Sequence, residues 1–146
     1  MNDPTRELLR MIYVDAKSGC EVVTGLLPKI SDERLRMETT KQLEAYAGYA
    51  RRAETIMEAK NITGITFPLM SKLSVRGGVM METAGSPTQQ ELARLLHVSS
   101  QDSAKRIRQA VTDLGNSGCD GDVLALGRNM AGFEAEEANS LGAFLT

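Results

Sequence analysis

The chain carries almost no net charge: 17 Lys and Arg stand against 19 Asp and Glu, a balance of −2. That excludes a general electrostatic pull toward nucleic acid or an anionic membrane and leaves only a local basic patch open. Cysteine is scarce, at two residues, Cys20 and Cys119. A disulfide framework is not expected at that density, and reduced cytosolic thiols are the simpler reading. Histidine occurs once, as His97, and tryptophan not at all. The first residues hold no basic segment followed by an apolar run, so no signal peptide is expected. No apolar stretch approaches the ~20 residues that a membrane-spanning helix needs. The expectation is a cytoplasmic protein without a membrane partner.

What is abundant forms helices: Ala, Leu, Met, Glu, Lys and Arg dominate the composition. At 146 residues the chain fits one domain, 1–146, long enough to bury a core. Asp3 and Pro4 make a cap and first turn. Leu9, Ile12, Ala16, Gly19, Val23 and Leu26 then recur at helical spacing until Pro28. Ser31 is the expected cap of a second helix of roughly 40 Å, whose seam is Leu43, Tyr46, Ala50, Ala53 and Met57. "NITGITFP" (61–68) reads as a loop, followed by a helical piece that Gly77 and Gly78 weaken. Ser86, Pro87 and Gln89 form a capping-box pattern for a third long helix. "GNSGCDGD" ends it, and Asp120 caps a fourth with the stripe Val123, Met130, Phe133, Leu141 and Phe144. The fold expected is an all-α, four-helix-bundle-like arrangement with helices near 4–26, 32–60, 87–114 and 122–145, joined by short turns. An extra short helix around 69–84 would lie between the second and third.

Few residues can carry chemistry. Two-metal bundles use carboxylates from four helices and paired Glu-x-x-His motifs. Here the residue three before His97 is Arg94, so that set cannot be assembled, and no metal ligand or other cofactor is assigned. The Gly77–Gly78 pair lacks the spacing of a phosphate loop. In a calcium-loop register that starts at Asn116, Gly118 and Gly127 occupy ligand positions and fail. Cys20 lies mid-helix on a mostly apolar face, Cys119 in an exposed turn, and neither is paired with a base. No catalytic residue is assigned. Glu134 and Glu137 do fall at core spacing on the last helix, and an interior carboxylate needs a partner. Gln42 and Tyr46 on the second helix and Lys17 on the first are the candidates. Together these five form a candidate interior polar cluster, either structural or suited to a small ligand or a single metal.

The stretch 88–111, "TQQELARLLHVSSQDSAKRIRQAV", also reads as a helix-turn-helix. Ala93 would allow two helices to cross, and Arg94, Lys105, Arg106 and Arg108 would meet phosphates. Against this, His97 rather than Gly stands where the turn favours positive φ. On the single-helix reading, Ser99 and Ser103 fall on the seam through Leu92, Leu96, Ile107 and Leu114. The single helix is the preferred reading, and a nucleic-acid partner is not expected.

Finally, "IYVDAKSG", "LLPKISDERLR", Gln42 with Tyr46, "PLMSKL" and "FEAEE" are similar in order and spacing to a family of small, uncharacterised bacterial helical-bundle proteins, loosely ferritin-like in architecture. The positions that match are Ile12, Tyr13, Ala16, Lys17, Gly19, Leu27, Pro28, Lys29, Gln42, Tyr46, Ser71, Lys72, Gly78 and Glu134. The resemblance implies a bundle and no particular activity. The expected function is therefore non-enzymatic, through self-association as a homo-oligomer or through a protein partner. DNA binding and small-ligand or single-metal binding in the core are the alternatives.

Overall fold

The computed structural model describes residues 3–67 and 87–145. Four long helices account for most of them: α1 (Pro4–Leu26), α2 (Glu33–Ala59), α3 (Gln89–Gly115) and α4 (Gly121–Gly142). Short 3-10 turns follow α1 at Leu27–Lys29 and α4 at Ala143–Leu145, and no strand occurs among the described residues. The helical piece expected at 69–84, with Ser71, Lys72, Gly77 and Gly78, lies outside the described residues.

Local chemistry sets most of the boundaries. Asp3 caps α1, its carboxylate accepting from the backbone of Thr5 and Arg6, with Pro4 in the first turn. Asp32 rather than Ser31 caps α2, because its carboxylate reaches the Leu35 N–H. The α2 C-terminus closes on Asn61 at φ 55, with the Ile62 N–H bonded back to the Met57 carbonyl. That is a left-handed stop in which Asn substitutes for Gly. The capping box of α3 is Thr88 with Glu91, two residues later than the Ser86–Gln89 reading. Gln89 instead crosses to α2, where its side-chain oxygen accepts from the Ser31 and Asp32 N–H groups. Asp120 precedes α4 without a side-chain cap bond, its carboxylate being taken by Lys60 at 2.9 Å.

Helix directions follow from the cross-helix contacts. α1 and α2 are antiparallel, as are α3 and α4, while Gln89 at Ser31 and Gln42 at Ser100 make α2 and α3 run the same way. The end of α2 and the start of α3 therefore lie at opposite ends of the bundle, which corrects the expectation that successive helices are antiparallel. Close approach is needed where α4 crosses: a Cβ on Gly127 would lie 2.7 Å from Val111.

The interior is divided. One apolar core is built from Leu8, Leu9, Ile12, Ala50, Ala53, Met57, Val111, Val123, Leu126 and Met130. A second, at the other end, is built from Val23, Leu26, Ile30, Leu35, Leu92, Leu96 and Leu141. Between them every helix turns polar at the same level.

Candidate functional site

The polar layer consists of Asp15 and Ser18 on α1, Thr39, Gln42 and Tyr46 on α2, Ser100 and Ser103 on α3, and Glu134 and Glu137 on α4, all buried. α4 contributes both glutamates because they sit at core spacing between Met130 and Leu141. Tyr46 belongs to the α2 seam and reaches the layer because α1 has Gly19 opposite. A Cβ there would lie 2.6–2.8 Å from the Tyr46 ring carbons, so only glycine lets the ring lie flat on α1. Phe133 closes the other side, edge-on at 5.6 Å between ring centroids.

The Tyr46 hydroxyl donates to Glu134 Oε2 at 2.8 Å. Burial, together with the neighbouring Asp15 carboxyl, pushes Glu134 up to about 10, so it carries a proton at neutral pH. One proton thus serves the Asp15–Glu134 pair, the arrangement expected when two buried acids share a site. On its outer side Asp15 Oδ1 meets Arg106 at 3.4 Å, and the same guanidinium donates to Ser103 Oγ at 3.0 Å. A chain of polar contacts thereby runs Arg106–Asp15–Glu134–Tyr46, from surface to centre.

Glu137 lies one turn along α4. Burial raises it to about 7, the Glu38 carboxyl adds to the rise, and Lys41, at 3.4 Å, opposes it. Gln42 donates to Ser100 Oγ at 2.9 Å. The buried side-chain atoms without a partner among the described residues are Asp15 Oδ2, Glu21 Oε2, Gln42 Oε1, Glu134 Oε1 and Glu137 Oε2. All are oxygens; the proton that Glu134 keeps is shared with Asp15, and the Gln42 amide oxygen has no such proton beside it.

Of the residues singled out from sequence, Glu134, Tyr46 and Gln42 come together here, and Glu137 joins their layer through Lys41 rather than through them. Lys17 does not join; its charge acts on Cys20, whose thiol burial nevertheless pushes up. Asp15, Ser18, Ser100, Glu38 and Lys41 were not read as site residues. The signal for Asp15 was available, since it is three residues after Ile12 on the α1 stripe, a core position holding an acid. The serines of the α3 seam are Ser100 and Ser103, not Ser99, which is only half-buried.

Residues 88–111 lie in one unbroken stretch ending in α3, so there is no helix-turn-helix; its turn would have fallen at His97, which is helical. His97 Nδ1 donates to the Ala138 carbonyl at 2.6 Å and ties α3 to α4. Arg94, Lys105, Arg106 and Arg108 are exposed on α3, but Arg106 is turned toward Asp15. Cys119 is buried, not exposed as its turn position implied, and burial raises its thiol as well. Among the described residues no three His, Cys, Asp or Glu side chains cluster as a metal site would require. No described helix is long and apolar enough to cross a membrane.

Fold and site together define a four-helix bundle with a carboxyl-bearing polar layer between two apolar cores. No family model, no curated protein and no solved structure matches the chain.

Proposed function

We propose that this protein is a non-enzymatic binding bundle whose site is the interior polar layer, where it takes a small molecule rich in hydrogen-bond donors. One observation carries the reading: the layer holds more carboxyl and amide oxygens than donors, and Gln42 Oε1 stays unpartnered even with the Glu134 proton shared with Asp15. Leaving such atoms unmade costs ~1–3 kcal/mol each, and a purely structural core would be better filled with apolar side chains. A cleft of about 300 Å³ between α1 and α3 leads to the layer at Asp15 and Ser18. The directions of the helices, two antiparallel pairs with α2 and α3 parallel, support a ferritin-like description of the architecture. Gly19, Gln42, Tyr46 and Glu134, which carry the resemblance to the bacterial family, gather at this layer.

Self-association has less behind it. The large apolar side chains exposed among the described residues are Met37 on α2 and Val98 on α3, too little for a stable interface. The test is a thermal-shift panel at neutral pH: ammonium and guanidinium compounds, small amides, polyols and divalent metals. A member that raises the melting temperature of the wild type but not of Asp15→Asn supports the reading. A flat response throughout, with light scattering reporting a dimer, would replace it with self-association.

A further inference from the structure

The cleft at Asp15 has a second property beyond leading to the layer. Asp15 lines it, 9 % exposed, served by a long contact from Arg106 to Oδ1 and, on its inner side, by the Glu134 proton alone. A carboxylate offers about four lone-pair sites, and even with the proton of Glu134 half of them go unused. Arg106 itself is 59 % exposed, so the cation held over Asp15 stands mostly in water. An ion pair with one partner that wet contributes little. Beside it the cleft widens into a shallow groove of about 590 Å³ whose floor is Met11, Ala110 and Leu114. The two share Met11 and Arg106.

We propose that Arg106 is an internal stand-in for the ligand, and that the cleft binds an organic cation, an amidinium, guanidinium or primary ammonium, carrying a compact apolar body. The charged head displaces the Arg106 guanidinium and takes Asp15 and Ser103 as acceptors. The body lies on Met11, Ala110 and Leu114. Released, Arg106 swings into solvent at small cost, because its pair was loose. The chemistry selects against metal ions, since Asp15 with hydroxyl neighbours gives one carboxylate at the mouth. It selects against neutral isosteres, which bring no charge to an under-served carboxylate. This rests on the ligand-binding reading above and specifies its ligand and its competitor.

The probe is benzamidine, with benzamide as the neutral control, titrated by calorimetry into the full chain. Arg106→Ala should bind benzamidine about three- to fivefold more tightly than wild type, since a competing surface pair is worth at most ~1 kcal/mol. Benzamide should bind neither, and Asp15→Asn should abolish benzamidine binding. If Asp15→Asn does not fold, methylguanidinium must compete benzamidine off Arg106→Ala. No gain in Arg106→Ala, equal binding of benzamide, survival of binding in Asp15→Asn, or failure of methylguanidinium to compete would each overturn the proposal. If other members of the panel bind in the layer while benzamidine does not, only this inference falls. If nothing binds, both fall.

Discussion

Glu134 and Glu137 are the same side chain, one turn apart on the same face of the same helix, both at most 2 % exposed. They are nevertheless held differently. Burial and the Asp15 carboxyl drive Glu134 up to about 10, against the Tyr46 hydroxyl, which lowers it; burial and Glu38 raise Glu137 to about 7, against Lys41. Burial raises both. Each acid also has a cation that lowers it, Arg106 for Glu134 and Lys41, at 3.4 Å, for Glu137. A buried acid's proton is thus set by what surrounds it once water has gone. The following experiments break or sharpen that contrast.

The largest effect concerns the space that brings Tyr46 to Glu134. Gly→Ala inside a helix ordinarily stabilises by up to ~1 kcal/mol. At Gly19 the added Cβ would meet the Tyr46 ring at 2.6–2.8 Å, and that ring is fixed by its hydroxyl and by Phe133. Gly19→Val should therefore destabilise by ~3 kcal/mol in urea denaturation, an overpacking cost. Combining it with Tyr46→Ala should recover part of the loss. Strict additivity of the two would mean the ring can move aside and that Gly19 does not position it.

Next is the pH dependence, where the two acids part company. Both keep protons that the unfolded chain releases above its ordinary 4.5, so the native state binds more protons and stability falls as pH rises. Between about 4.5 and 7 both contribute to the fall; from 7 to about 10 only Glu134 does. Glutamine mimics a protonated glutamate without needing the proton. Glu134→Gln should be more stable than wild type by ~1–3 kcal/mol at pH 8, with a gain that keeps growing toward pH 10. The gain of Glu137→Gln should level off near pH 7. Parallel gains over the whole range would show that the two sites do not differ.

Tyr46→Phe should cost ~1–2 kcal/mol, because Glu134 Oε2 loses the Tyr46 hydroxyl as donor while the ring packing stays. The penalty should shrink sharply in the Glu134→Leu background, measured as a double-mutant cycle. An unchanged penalty there would assign it to the ring and not to the hydrogen bond.

How far the sequence announced this site differs from residue to residue. The helices follow from apolar spacing and caps, and Glu134, Glu137 and Tyr46 could be singled out because they interrupt or join a core stripe. The capping box moved by two residues because Thr88 and Glu91 repeat the pattern of Ser86 and Gln89, and local pattern alone does not rank them. The direction of α3 was not legible, since the long stretch between the second and third helices lets α3 run either way and only cross-helix bonds such as Gln42 with Ser100 fix it. Asp15 was passed over because its charge outweighed its spacing. Lys17 was expected in place of Lys41 for the same reason: which cation reaches a buried acid depends on the rotation of two helices, which spacing along one helix does not carry.

The smallest effect tests the cation itself. Lys41 is 64 % exposed and lies 3.4 Å from both Glu38 and Glu137, so Lys41→Gln should change stability at neutral pH by less than ~0.5 kcal/mol. Its consequence should appear in the titration. Without the opposing charge, Glu137 keeps burial and Glu38 as influences, both of which raise it, and its midpoint should climb above 7 toward that of Glu134. Carboxyl-labelled NMR across pH 5 to 10 would follow both groups at once. A Glu137 midpoint that does not move in Lys41→Gln would mean that the depth of each acid, and not the company it keeps, separates them.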